Sequence, residues 1–130
     1  MPQLAKGGKW VFGWVLVGPE HTIRIPPAAA AEYGFMDGMG LVFIRGSRTS
    51  GGFGLGSQEL LTSLFPTPTR FLTQGCMQPG GTVQLPEEIG LKAGERLLAV
   101  RGSGHALGFL QRGPIYQLAQ QHTQIEVFVS

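Results

Sequence analysis

The stretch TVQLPEEIGLKAGERLLAVRGS, residues 82–103, decides the fold, because a diverged copy of it, TIRIPPAAAAEYGFMDGMGLVFIRGS, occupies residues 22–47. Pro26 of the first copy aligns with Pro86 of the second at an offset of 60 residues. After a four-residue gap, the remainder aligns at an offset of 56 and ends in Arg-Gly-Ser in both copies. Self-similarity of this kind indicates an internal duplication. We therefore divide the chain into a first unit, residues 1–66, and a second unit, residues 67–130.

Each unit has the pattern of two strands, a short helix and two more strands. Residues 22–25 and 82–85 alternate polar and apolar side chains, which is the period of a half-buried strand, and a proline ends each segment. Gly34 and Gly90 stand where a left-handed helix end favours glycine. The other predicted elements are first strands at residues 10–17 and 70–77, short helices at 27–33 and 87–89, third strands at 41–44 and 97–100, fourth strands near 52–55 and 106–110, and a last strand at 124–129.

A further helix is predicted at the end of each unit. Ser57 is suited to cap the first of these helices, and Pro114 is suited to the first position of the second. The sequence therefore predicts a mostly β protein with short helices, in which two β-β-α-β-β units form one compact domain.

Charged residues are scarce, at 14% of the chain against 42% for apolar residues. Ten basic and eight acidic residues give a net charge of +2, with five basic and four acidic residues in each unit. No basic tail or stripe marks a nucleic-acid surface. Cys76 is the sole cysteine, which excludes an internal disulfide and predicts a cytoplasmic location. The longest charge-free apolar run, residues 10–17, is too short to span a membrane, so no membrane association is expected.

Residues 82–102 resemble the AbrB/SpoVT/MazE group of swapped-hairpin proteins. In that group a V-x-I-P strand end, a short helix and an L-G-L-x-x-G-D/E turn precede an apolar strand. Residues 22–46 resemble the group more loosely, with T-I-R-I-P as the clearest part. Two chains of such proteins usually interleave their hairpins in one barrel. The resemblance therefore implies a swapped-hairpin, AbrB-like barrel formed as a single-chain pseudo-dimer, similar to MraZ-type proteins, which carry two such units.

Most members of this group bind DNA, so the resemblance implies a DNA-binding transcriptional regulator or an antitoxin-like regulator. Arg24 matches the arginine of the V-R-I-P motif in MazE-like members. Other arginines of AbrB-like members are replaced here, by Val15 and Gly75 on the first strands and by Thr22 and Thr82 before the second strands. The alternative is a protein-interaction or oligomerisation module that kept the barrel and lost its DNA contacts.

A small set of polar residues remains near the DNA face that the resemblance implies. Basic side chains can contact phosphates, and hydroxyl or amide groups can bond to phosphates or bases. The expected partner is double-stranded DNA. The predicted contact residues are Lys6, Lys9, Arg24, Arg70, Thr22, Thr82 and Gln84.

Two tryptophans provide a candidate interface. Trp10 and Trp14 lie four residues apart, so an unbroken strand places them on one face together with Phe12. They either pack in the core or form an exposed aromatic patch, where tryptophan is enriched at interfaces. We predict interface residues at Trp10 and Trp14, with a homo-oligomer or a protein partner.

Two further patterns concern other kinds of site. Arg45 and Arg101 recur at equivalent positions, where they either form a two-sided anion or partner site or each reach a carboxylate at the end of the barrel. The histidines have no metal-ligand spacing, and no Ser–His–Asp order is evident. We predict no metal, no cofactor and no enzymatic activity.

Overall fold

A computed structural model of the chain describes residues 10–64, 71–102 and 105–130. Within these residues the elements follow the repeated order that the sequence predicts, and the unit boundary at residues 66 and 67 lies outside them. The first unit contains β1 (Val11–Leu16), β2 (Thr22–Arg24), α1 (Pro27–Tyr33), β3 (Gly40–Arg45), β4 (Phe53–Ser57) and α2 (Gln58–Leu64). The second unit contains β5 (Phe71–Cys76), β6 (Thr82–Gln84), a 3₁₀ helix (Glu87–Ile89), β7 (Arg96–Arg101), β8 (Ala106–Leu110), α3 (Pro114–Ala119) and β9 (Val127–Phe128).

The helix termini form as their sequences predict. Gly34 and Gly90 end the first helix of each unit in the left-handed conformation, with φ angles of 71° and 74°. The Ser57 hydroxyl accepts a hydrogen bond from the backbone N–H of Leu60 at 3.4 Å, which satisfies one unpaired donor at the start of α2. Pro114 is the first residue of α3, where no N–H is needed.

The main sheet is mixed and has seven strands in the order β5-β3-β4-β8-β7-β1-β9. The first strand of each unit pairs with the third strand of the other unit, β1 with β7 and β5 with β3, both antiparallel. β4 and β8 join the two units at the centre. In the described part of the chain this sheet ends at β5 and β9 and is not closed. The mostly β architecture is therefore confirmed, whereas closure into a barrel is not.

A second sheet consists only of β2 and β6, and we call it the β2–β6 ribbon. Its apolar side is buried, since Ile23 and Val83 are both 0% exposed. These side chains join a core with residues of the main sheet, including Phe43, Leu97 and Phe109. The ribbon is thus held on one face of the main sheet by apolar packing, with its other side towards solvent.

The opposite face of the main sheet carries a second core beneath α3. Trp14, Leu98 and Val100 pack there with Ala119 of α3 and Ile125 of the C-terminal segment. The predicted last strand forms as β9, which pairs in parallel with the outer edge of β1. No helix in the described part of the chain is both long and apolar enough to cross a membrane.

A β-bulge in β1 corrects the expected arrangement of its aromatic residues. The register shifts between Val11 and Gly13, so β1 has one residue more than β7 at this point. The extra residue places Phe12 against the core beneath the ribbon and Trp14 in the core beneath α3. The expectation that Phe12 and Trp14 share a face is therefore wrong, because it assumed an unbroken alternation.

Candidate nucleic-acid interface

The β2–β6 ribbon brings together four of the predicted contact residues. Thr22 lies opposite Gln84, and Arg24 lies opposite Thr82, across the antiparallel pair. Because side chains alternate along a strand and Ile23 is buried, these four side chains share the solvent side of the ribbon. Residues 60 positions apart in the sequence thus form one polar face.

The face has approximate two-fold symmetry that follows from the duplication. Thr22 and Thr82 occupy equivalent positions, and so do Arg24 and Gln84, at the same offset of 60. Arg24 and Gln84 are exposed, and both threonines are half-buried. Symmetry of position is therefore combined with a difference in charge, since one strand presents a guanidinium where the other presents an amide.

The first end of the ribbon, which we call the Gln84 end, contains the turn Pro19–His21 together with Thr22 and Gln84. The Gln84 Nε2 donates hydrogen bonds to the backbone oxygens of Glu20 at 2.8 Å and His21 at 3.3 Å. The Thr22 hydroxyl donates to the Ser130 hydroxyl at 3.1 Å. The Thr22 hydroxyl and the Gln84 Nε2 are thus engaged within the protein.

The second end, which we call the Arg24 end, contains the turn Pro79–Gly81 together with Thr82 and Arg24. In the described part of the chain the Arg24 guanidinium forms no ion pair. The Thr82 hydroxyl donates to Gln78 Oε1 at 3.5 Å, the limit of a hydrogen bond. This end therefore presents a cation and a weakly engaged hydroxyl to solvent.

His21 lies in the turn next to Thr22, and the residue set predicted from sequence does not include it. Its φ of 60° is a left-handed backbone conformation that residues other than glycine rarely adopt. The counterpart of His21 in the second unit is Gly81, which has a φ of 77°. Strained residues of this kind concentrate at functional sites. The internal alignment of His21 with Gly81 is the signal that could have identified it.

The remaining predicted basic residues are not placed by the structure. Lys6, Lys9 and Arg70 lie outside the described residues. Arg24 is consequently the one cation of the predicted set whose position is described.

Arg101 is engaged in an ion pair that connects the two units. Its Nε donates to Glu32 Oε2 at 2.6 Å and its second nitrogen donates to Glu32 Oε1, so β7 of the second unit is tied to α1 of the first. The guanidinium also lies 4.9 Å from the ring centroid of Trp10. The hydrogen bond from Arg101 lowers the pKa of Glu32. Of the two interpretations of Arg101, the contact with a carboxylate is confirmed.

The two predicted interface tryptophans have different environments. Trp14 is 3% exposed and lies 5.0 Å from the Tyr116 ring, edge to face, while the Arg96 guanidinium lies 4.0 Å from its centroid. Trp14 therefore belongs to the core and does not form part of an exposed patch. Trp10 is 39% exposed, and its role at an interface stays a prediction.

No protein-family model, no curated protein and no solved structure matches the chain.

Proposed function

We propose that the chain is a DNA-binding transcriptional regulator of the AbrB/SpoVT type, and that it contacts duplex DNA through the polar face of the β2–β6 ribbon. One observation carries this proposal. The pairing of β2 with β6 collects Thr22, Arg24, Thr82 and Gln84 on one solvent-facing surface.

The dimensions of the ribbon suit a groove of duplex DNA. Two paired strands lie about 4.8 Å apart, and this spacing sets the width that the backbone of the β2–β6 ribbon would occupy across a groove. The major groove is about 12 Å wide and admits a two-stranded ribbon, a mode that several DNA-binding proteins use. In this position arginine can bond to guanine or phosphate, glutamine to adenine, and threonine to either a base or a phosphate.

The charge of the face limits the expected affinity. Each phosphate contact contributes about 0.9 to the slope of log affinity against log salt concentration. With Arg24 as the cation on the described face, we expect weak binding to mixed-sequence DNA and a shallow slope. Specific binding would then depend mainly on contacts to base edges.

The proposal includes the pseudo-dimeric form of the swapped-hairpin fold. Support comes from the exchange of first strands, since β1 pairs with β7 and β5 pairs with β3. Two separate chains that exchanged these strands would have the same pairing, with one ribbon on the two-fold axis. In this interpretation the duplication supplies both halves of the DNA-contacting face.

Fluorescence anisotropy on a mixed-sequence 30-mer duplex, at about 50 and about 200 mM salt, tests the proposal. We expect binding at the lower salt, weaker binding at the higher salt, and a smaller slope for Arg24→Ala. Arg48→Ala is the matched control, because Arg48 is an exposed arginine on the turn between β3 and β4 and lies off the ribbon. Absence of binding at the lower salt, or equal losses in both variants, would reject the ribbon as the DNA-contacting face.

A second candidate function is a protein-interaction or oligomerisation module. It is favoured by the outer edge of β5, with which no strand of the described residues pairs. Such an edge presents unpaired backbone groups that can accept a strand from another molecule. Multi-angle light scattering separates the candidates: a mass above 13.9 kDa together with no DNA binding supports this second function, and a DNA-binding monomer rejects it.

A further inference from the structure

Resting on the proposed function, we infer that the β2–β6 ribbon engages duplex DNA through one of its two ends, the Arg24 end. A symmetric dimer presents two equal ends to DNA, because both strands of its ribbon have one sequence. Here the two ends have diverged within a single chain, and the differences concern both charge and backbone access.

The Arg24 end offers positive charge and an open backbone. Gly80 and Gly81 have φ angles of 88° and 77°, and a Cβ added to either would meet no atom within 4 Å. Glycine turns without side chains allow a phosphate or a base edge to approach the main chain closely. An approaching phosphate would meet the guanidinium of Arg24 beside this bare turn.

The Gln84 end has the opposite character. The residues equivalent to Gly80 and Gly81 are Glu20 and His21, both exposed, so this end presents a carboxylate and an imidazole where the other presents no side chains. A carboxylate close to a phosphate repels it. The Gln84 Nε2 already donates to two backbone oxygens, so a paired contact to adenine, which needs this donor as well as the Oε1 acceptor, would require these bonds to break.

Moving the arginine between the two ends tests this inference directly. Arg24→Gln makes both positions glutamine, and we expect it to weaken binding to the 30-mer at least about tenfold at low salt, because a hydrogen bond to a charged group is lost. The double variant Arg24→Gln/Gln84→Arg restores the composition with the arginine at the equivalent position of the Gln84 end. We expect its affinity to stay within about threefold of Arg24→Gln. A return to within about twofold of wild type would show that the ends are interchangeable and would overturn the inference.

A second pair of variants tests the same inference without the double variant Arg24→Gln/Gln84→Arg. Thr22→Val and Thr82→Val each remove one hydroxyl, at the Gln84 end and the Arg24 end respectively, with little change in shape. We expect Thr82→Val to weaken binding about threefold, and to weaken it more than Thr22→Val does. Equal losses would overturn the inference, and thermal melts followed by circular dichroism verify that every variant is folded.

The inference and the proposed function fail in different ways. Binding by wild type with equal contributions from both ends removes the one-ended mode and leaves DNA binding in place. No binding by wild type at about 50 mM salt removes both. Adding Glu20→Gln to the transplanted variant identifies the cause, because it should strengthen binding if the carboxylate is what disables the Gln84 end.

Discussion

His21 occupies a backbone position at which the second unit uses glycine. It ends the turn in which its N–H donates to the Gly18 oxygen at 3.0 Å, and its φ of 60° carries a steric cost of about 1 kcal/mol. We expect Gly81→His to lower the free energy of unfolding by about 1 kcal/mol, and His21→Gly to leave it unchanged or to raise it by up to about 1 kcal/mol. Urea denaturation measures both. Destabilisation by His21→Gly would mean that the contacts of the imidazole and the greater entropy of glycine in the unfolded chain together outweigh the strain.

The ion pair between Glu32 and Arg101 makes stability depend on pH at the acidic end. Because Arg101 lowers the pKa of Glu32 in the folded chain, the pair stabilises fully above the unfolded-state pKa and is lost as the pH falls through the folded-state value. We therefore expect Glu32→Gln to be less stable than wild type at pH 7 and to approach it in acid. Urea denaturation between pH 7 and about pH 3 measures the difference, with Asp37→Asn, an exposed loop carboxylate, as control. If the difference in the free energy of unfolding between wild type and Glu32→Gln did not change with pH, the charge of Glu32 would not contribute to stability.

At the scale of elements, the attachment of β9 depends on one glycine of β1. A Cβ at Gly13 would lie 2.7 Å from Phe128 Cε2 and 2.9 Å from the Glu126 oxygen, at a φ of 150°. We expect Gly13→Ala to destabilise the protein by about 2 kcal/mol and to expose the Trp14 amide, which donates to the Glu126 oxygen at 2.8 Å, to hydrogen exchange. Gly38→Ala is the control, because it shares a positive φ and has nothing within 4 Å of its Cβ. Equal losses in the two variants, with the Trp14 amide still protected, would contradict steric docking of β9.

The sequence predicted the bounds of strands better than it predicted which faces and residues come into contact. β8 matches its predicted bounds and β1 lies within one residue of them, because alternation, turns and prolines are local signals. The bulge in β1 interrupts this alternation at Gly13, a glycine inside a strand of the kind that often marks a bulge, and it moved Trp14 to the opposite core. The contact between Glu32 and Arg101, 69 residues apart, depends on which strands exchange. Motif positions indicate the four ribbon residues one by one, and only the pairing of β2 with β6 shows that they form one face.

At the scale of the whole molecule, the exchange of first strands predicts that neither unit folds alone. β1 of the first unit has its long antiparallel partner in the second unit, and β5 of the second unit has its partner in the first. The core beneath the ribbon is also shared, since Ile23 and Val83 pack in one cluster. A separated unit would leave a central sheet strand and one side of this core uncovered, at about 25 cal/mol for each Å² of apolar surface exposed.

We therefore expect fragments 1–66 and 67–130 to associate when they are co-expressed and to give one cooperative thermal transition. Each fragment alone should either unfold or self-associate, because a second copy can supply the missing partner strands. Co-purification through a tag on one fragment, circular dichroism melts and light scattering measure this. The control is Leu97→Asp in fragment 67–130, which places a charge at a buried position of β7 and should abolish the association. A cooperative transition of a monomeric fragment would show that this unit is an independent domain. The prediction that each unit needs the strands of the other would then be wrong.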